Sequence, residues 1–223
     1  MFLPLTPAWC ADFPGGSLII LPCGPSSTPF IRPFFLGSTF LDLNVKLFSA
    51  MSVIDDVLIA NEQYARTHEL RRLTPRPERK LAILTCMDTR LSIRTLGLKT
   101  GDAHIIRNAG GIVTDDSLRS LLISHHLLGT EEFMVINHTD CGLMHATEQD
   151  LRTRIQNRAG TAAIAPAFFY AFQNIDENVR HQLQKLRTHP WIPKSIAIRG
   201  FVYDVSTGLL REIKDDCRLS AND

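Results

Sequence analysis

The most constraining feature of this sequence is an apolar run that ends abruptly in chemically active side chains. Residues 81–85 read Leu-Ala-Ile-Leu-Thr, and Cys86, Asp88 and Arg90 follow at alternate positions. A short apolar run bounded by polar residues is typical of a strand buried on both faces. The pattern therefore predicts a buried strand that presents a thiol, a carboxylate and a guanidinium beyond its carboxyl end.

A second apolar run ends in a similar way. Residues 133–136 read Phe-Met-Val-Ile, and His138 and Cys141 follow, three residues apart. Zinc binds Cys thiolate and His nitrogen in tetrahedral geometry, and its catalytic sites commonly keep three protein ligands and one open position. Cys86, His138 and Cys141 form such a ligand set, so the sequence predicts Zn2+ as the cofactor.

Asp88 and Arg90 are predicted to act beside this metal. Two residues apart after a strand, they can form a bidentate ion pair that fixes the carboxylate in one orientation. We interpret Asp88 as the residue that orients the reacting water and Arg90 as the residue that holds Asp88. Asp88 could instead fill the fourth metal position if Arg90 released it, and the sequence leaves both states open.

Three motifs carry a resemblance to a known family. Cys86-Met-Asp-Thr-Arg90 and His138-Thr-Asp-Cys141, with Arg107-Asn-Ala-Gly-Gly111 between them, resemble the β-class carbonic anhydrases, in particular the mycobacterial and archaeal branch. The resemblance covers about residues 51–213. It implies reversible hydration of carbon dioxide to bicarbonate by a zinc-bound hydroxide, a lyase activity, in a homodimer or homotetramer. Residues 110–113 are candidates for the walls of a pocket for this small apolar substrate.

Two alternatives stay open beside carbonic anhydrase activity. Carbonyl sulfide and carbon disulfide hydrolases resemble the same fold and motifs, and the sequence does not separate these substrates. A zinc-binding module without turnover would use Asp88 as a permanent fourth ligand, but such a site has no use for Arg90. One departure from plant-type members is that residues 71–80 lack the Gln that those enzymes place near the substrate.

Helical and strand patterns alternate along the chain after residue 51. The predicted helices lie over 53–70, 91–98, 115–128, 148–157 and 166–186, and the predicted strands over 81–85, 103–107, 132–137, 195–203 and 209–213. Such alternation predicts an α/β fold with a mostly parallel central sheet flanked by helices. A strand order of about 2-1-3-4, with an antiparallel edge strand from the final hairpin, would bring the predicted ligands together.

Four other histidines are interpreted as structural or surface residues. His104 alternates with the apolar positions of a predicted strand, and His125 and His126 lie within a predicted helix that points them away from the strand ends. His145 follows Cys141 closely enough to line the site entrance, although a capping or surface role is favoured.

Residues 1–50 differ in composition from the rest of the chain. They hold seven of the twelve prolines and only four charged residues, and their apolar runs are shorter than the roughly 18 residues of a membrane span. They also lack the early positive charge of a secretory signal. We expect a poorly ordered N-terminal extension over 1–50 and a zinc domain over 51–223. An arm that packs on a partner subunit is the alternative.

Charge and cysteine usage exclude several classes of protein. The net charge is +1 without a basic stripe, which argues against nucleic acid and anionic membrane surfaces as partners and agrees with a small-molecule substrate. Five cysteines at irregular spacing make a poor disulfide framework, so we expect a reducing, cytoplasmic location. Cys217, in a charged tail, is interpreted as an exposed free thiol.

Overall fold

The computed structural model describes residues 52–67, 72–161 and 166–214. The helices in these ranges are α1 (Val53–Arg66), α2 (Asp115–His126), α3 (Glu148–Ala159) and α4 (Ile175–Thr188). The strands are β1 (Leu81–Cys86), β2 (Ala103–Asn108), β3 (Glu132–His138), β4 (Ala197–Tyr203) and β5 (Leu210–Ile213). The predicted extension over 1–50 and Cys217 lie outside the described residues. None of the helices in the described ranges is long and apolar enough to cross a membrane.

The five strands form one sheet in the order β2-β1-β3-β4-β5, which confirms the predicted α/β fold and strand order. The first four strands are parallel, and β5 runs antiparallel to β4 at the edge. In the register of β1 and β3, Thr85 lies opposite Ile136. Because carboxyl ends of parallel strands meet at one edge of a sheet, Cys86 and His138 lie at neighbouring strand ends.

One face of the sheet is covered by α2 and α4. Leu121 of α2 and Val179 and Leu183 of α4 pack in one buried apolar cluster with the strands. Gly200 of β4 allows this close approach, because a Cβ there would lie 2.5 Å from Val179 Cγ1 and 2.8 Å from Leu183 Cδ1. Any larger residue at this position would push α4 away from the sheet.

The opposite face of the sheet is less completely covered. Ile83, Ile136 and Tyr203 are buried there, whereas neighbouring apolar side chains are only half-buried. These half-buried side chains include Ile105, Met134 and Phe201. The described chain thus leaves part of an apolar sheet face accessible.

Two predicted helices differ most in their bounds from the structure. The helix predicted over 91–98 is a short 3-10 turn, Ile93–Leu96, which ends at Gly97 because Gly97 takes a left-handed φ of 68°. The helix predicted over 166–186 begins only at Ile175, after an irregular segment. In that segment the Glu148 carboxylate accepts hydrogen bonds from the backbone N–H groups of residues 169 and 171, at 2.9 and 2.8 Å.

The start of α2 agrees with the sequence, but its end does not. Thr114 caps the helix in a reciprocal capping box with Ser117. The helix ends at His126, so His125 and His126 lie in its last turn rather than in its middle. Their ring N–H groups donate to Thr130 O and to a second carbonyl, each at 2.7 Å. Both side chains therefore have structural partners.

Candidate metal centre

The structure brings the three predicted ligands together. Cys86 is the last residue of β1, His138 is the last residue of β3, and Cys141 follows a turn in which Asp140 has a φ of 55°. All three residues are buried, and their ligand atoms lie within 4.8 Å of one another. Among the described residues, no other group of three His, Cys, Asp or Glu side chains is close enough to hold a metal ion.

The hydrogen bonds of His138 fix its tautomer. Its Nδ1 lies 2.8 Å from Thr139 O, and since a carbonyl oxygen only accepts, Nδ1 must carry the proton. Nε2 then presents a lone pair, and this atom is buried without a hydrogen-bond partner. Buried polar atoms are normally paired, so an orphaned ring nitrogen beside two thiols fits a missing metal ion.

The two cysteines have shifted acidities in opposite directions. A hydrogen bond from the Cys141 thiol holds the pKa of Cys86 well below its usual range, helped by the Gly110 N–H, which donates to Cys86 Sγ at 3.3 Å. The same bond to Cys86 raises the pKa of Cys141. Two adjacent sulfurs repel one another when both are ionised, and a divalent cation removes that repulsion. The donor set therefore fits Zn2+.

Asp88 is held beside this group by Arg90. Arg90 Nε and Nη2 donate to the two carboxylate oxygens at 3.0 and 2.7 Å, and its backbone N–H donates to Oδ1 at 2.9 Å. This bidentate bond keeps the pKa of Asp88 well below its usual range. Asp88 Oδ2 lies 3.8 Å from His138 Nε2. The ionised carboxylate is thus close to the candidate metal position while bonded to the guanidinium.

A second carboxylate, which the sequence analysis did not single out, also holds Arg90. Arg90 Nη1 donates to Asp140 Oδ2 at 2.8 Å, and Nη2 donates to Asp140 O at 3.1 Å. His145 Nε2 donates to the other carboxylate oxygen of Asp140 at 3.1 Å. The position of Asp140 between His138 and Cys141 was the available signal. The guanidinium therefore joins the loop that follows Cys86 to the turn between His138 and Cys141.

Arg107 is another residue to which sequence reasoning did not assign a role. Its Nε donates to Cys86 O at 3.0 Å and its Nη2 to Asp88 O at 2.5 Å. These bonds attach the loop after β1 to the end of β2. The arginine was visible in the motif over 107–111, but its partners are backbone atoms far away in sequence.

Comparison with known proteins identifies the family. The sequence model of the carbonic anhydrase family matches residues 81–210. The β-carbonic anhydrase 1 of Mycobacterium tuberculosis is 43% identical over 165 residues, which cover 73% of this chain and 99% of that protein. The chain belongs to the β-carbonic anhydrase family. The resemblance of its motifs to this family is thereby confirmed.

Other members and neighbours of the β-carbonic anhydrase family extend the comparison. The crystal structure of carbonic anhydrase from Streptococcus mutans superposes with a TM-score of 0.69 at 43% identity, covering 74% of this chain and 99% of that one. A carbon disulfide hydrolase from Acidianus is 38% identical over 183 residues, 71% of this chain and 88% of the relative. The chain is therefore similar to proteins that are named for two different substrates.

Proposed function

We propose that this protein catalyses the reversible hydration of carbon dioxide to bicarbonate at a zinc ion held by Cys86, His138 and Cys141. The observation that carries the proposal is the buried, unpaired Nε2 of His138, in a group of three side chains whose ligand atoms lie within 4.8 Å of one another. Zinc bound there would act as a Lewis acid that brings the pKa of a coordinated water from 15.7 to near 7 and so makes a nucleophile available at neutral pH.

Asp88 and Arg90 have distinct roles in this proposal. Asp88, kept ionised by its lowered pKa, accepts a hydrogen bond from the reacting water and orients it towards the substrate. Arg90 holds the carboxylate through two parallel hydrogen bonds, which keeps Asp88 from turning to the metal. The short apolar segment over 110–113 is buried and supplies wall residues suited to carbon dioxide.

A second candidate function is hydrolysis of carbon disulfide or carbonyl sulfide. It is favoured by the similarity to a carbon disulfide hydrolase at 38% identity. A module that binds zinc without turnover is less favoured. It would need Asp88 as a permanent fourth ligand, but both carboxylate oxygens of Asp88 already accept hydrogen bonds from Arg90. All three candidates bind zinc, and they differ in which substrate, if any, they convert.

The test of the proposal combines metal analysis with three substrates. The purified full chain is expected to contain one zinc per chain and to hydrate carbon dioxide faster than it hydrolyses carbon disulfide or carbonyl sulfide. Faster conversion of carbon disulfide would transfer the proposal to the hydrolase function. Zinc binding without turnover of any of the three would identify the non-catalytic module.

We further infer a homodimer or homotetramer. The half-buried apolar side chains on one sheet face support this inference, because a contiguous apolar surface is commonly an interaction site. The apolar side chains of α1, including Val53 and Ile54, are also exposed in the chain as described. Sedimentation at micromolar concentration should give at least a dimer, and a monomer would refute the inference.

The functional domain is proposed to span residues 51–223 in the cytoplasm, with residues 1–50 as an extension. A chain that begins at Met51 should then contain zinc and hydrate carbon dioxide like the full chain. Loss of assembly after this truncation would support the arm that packs on a partner subunit.

A further inference from the structure

A chain of amide side chains connects α4 to the carboxyl end of β3. Gln182 Nε2 donates to Asn178 Oδ1 at 2.8 Å, and Asn178 Nδ2 donates to Asn137 Oδ1 at 2.8 Å. Gln182 Oε1 also accepts the backbone N–H of Val113 at 2.9 Å. Gln182 and Asn137 are each only 1% exposed. Asn178 and Gln182 are four residues apart on α4, so they share one helix face.

Asn137, the last of these hydrogen-bonded amides, holds the glycine segment, which consists of Gly110 and Gly111. Asn137 Nδ2 donates to Gly110 O at 2.8 Å and to Gly111 O at 3.3 Å, so the amide nitrogen is directed at backbone carbonyls. Gly111, at a φ of 64°, lies so close that a Cβ there would be 2.9 Å from Asn137 Nδ2 and 3.1 Å from Cys86 N. The glycine backbone is therefore packed between the amide and the cysteine.

This glycine segment in turn contacts a proposed zinc ligand. The N–H of Gly110 donates to Cys86 Sγ at 3.3 Å, and the direction of that N–H depends on where the segment lies. A hydrogen bond to a metal-bound thiolate stabilises its negative charge and tunes its strength as a ligand. The hydrogen-bonded amides are thus connected to the sulfur of Cys86 through the glycine segment.

We propose that Asn137 is a positioning residue for Cys86: with Asn178 and Gln182 it holds the glycine segment so that Gly110 donates to the thiolate. The proposal rests on the proposed function, because it assigns Cys86 to the zinc ion. Burying the amides of Asn137 and Gln182 requires that each of them be hydrogen-bonded. An apolar side chain of similar shape would fill the same space, but it would leave the carbonyl oxygens of Gly110 and Gly111 unheld.

The first test uses Asn137→Leu and Asn178→Asp. Asn137→Leu removes all bonds of the amide, whereas Asn178→Asp retains an acceptor for Gln182 and loses only the donor to Asn137. The zinc dissociation constant, measured by competition with a chelator, is expected to increase by about 10- to 100-fold for Asn137→Leu and by less for Asn178→Asp. If Asn137→Leu does not fold, Asn178→Asp alone gives the measurement.

The second readout reports on the sulfur itself. With Co2+ in place of zinc, loss of the N–H···S bond raises the energy of the sulfur lone pairs and should move the sulfur-to-cobalt charge-transfer band to lower energy. A purely structural role of Asn137 would lower the free energy of unfolding without moving this band. The matched control is Ser124→Ala, which removes a buried hydroxyl that bonds to His104 and Thr130 and not to the ligand loops.

The outcomes separate this inference from the proposed function. An unchanged zinc affinity and an unchanged charge-transfer band in both amide variants would overturn the role of Asn137 while wild-type zinc binding stands. A wild-type chain that binds neither zinc nor Co2+ would overturn both. A weaker zinc affinity in Ser124→Ala, equal to that of Asn137→Leu, would also overturn the inference, because any loss of stability would then have the same effect.

Discussion

Two histidines in β2 and β3, the strands on either side of β1, have opposite hydrogen-bonding states. Both ring nitrogens of His104 are bonded, Nδ1 to Ser124 Oγ at 2.7 Å and Nε2 to Pro75 O at 2.8 Å. His138 has one bonded nitrogen and one buried nitrogen without a partner. The histidine with unused bonding capacity, rather than the histidine with two bonded ring nitrogens, therefore marks the candidate metal site.

The two histidines and their polar neighbours also lie at opposite ends of the strands. The hydroxyl of Thr130, which precedes β3, is 2.6 Å from Ser124 Oγ, so the His104 group belongs to the amino end of that strand. His138 is the last residue of the same strand. The carboxyl ends of parallel strands are followed by loops that can bring ligands together, which is where open α/β sheets bind their ligands.

The largest expected effect distinguishes the two histidines directly. His138→Ala or Cys141→Ser should lose the bound zinc and reduce carbon dioxide hydration to background, because a ligand set of two atoms no longer holds the metal. His104→Ala should keep zinc and activity while the free energy of unfolding falls by about 1–3 kcal/mol. Metal analysis measures the zinc content, and denaturant unfolding measures the free energy of unfolding. Full zinc occupancy in Cys141→Ser would contradict the assignment of Cys141 as a ligand.

The next effect concerns Asp88 and Arg90, the two residues proposed to act beside the metal. Arg90→Ala should free Asp88 to bind the metal and reduce the rate roughly 100-fold, and Asp88→Ala should cause a loss of similar size by leaving the reacting water unoriented. Both variants should retain zinc, unlike His138→Ala. X-ray absorption should show the additional carboxylate ligand only in Arg90→Ala, and an unchanged metal shell there would count against the restraining role of Arg90.

A smaller effect is expected for the second carboxylate on Arg90. Asp140→Gly accommodates the left-handed backbone at this position but removes the carboxylate, so Arg90 keeps only Asp88 and the backbone carbonyl of residue 140. The rate should fall by about tenfold or less, since exposed ion pairs contribute little. Asp140→Asn, which also tolerates this backbone and keeps one acceptor, is the control and should lose less activity than Asp140→Gly.

The smallest effect tests whether bidentate geometry alone marks function. Arg211 donates to both carboxylate oxygens of Asp176, at 3.0 and 2.7 Å, as Arg90 does to Asp88. Asp176→Asn should leave the rate unchanged and lower the free energy of unfolding by about 0.5 kcal/mol at pH 7, because the pair is partly exposed. A loss of activity would show that the sheet edge contributes to the site.

The pH dependence of that small effect has a definite sign. The bond to Arg211 lowers the pKa of Asp176 in the folded protein, so its stabilising contribution is fully present above the unfolded value of about 3.9. It is lost as the pH falls through the lower folded value. Urea unfolding of wild type and Asp176→Asn should therefore differ at pH 6 and converge under strongly acidic conditions.

The sequence predicted the central part of the site because the signals are local. Cys86 and His138 each end a run of buried residues, and in a parallel sheet that position alone determines where they lie. Residues 166–174 were predicted wrongly as helix, since the carboxylate that holds their backbone belongs to Glu148, about twenty residues earlier. Asn137 and Asp140 were missed for the same reason: their partners lie 27 to 50 residues away in the chain.

The placement of the three candidate ligands has a consequence for how metal enters and leaves. Cys86 and His138 are fixed by the two adjacent inner strands, whereas Cys141 follows a turn whose backbone at Asp140 is left-handed. Short turns open locally at far lower free energy than central strands. We expect that two ligands stand ready once the sheet has folded and that motion of a single turn delivers or withdraws the third. Metal exchange would then proceed without unfolding the core.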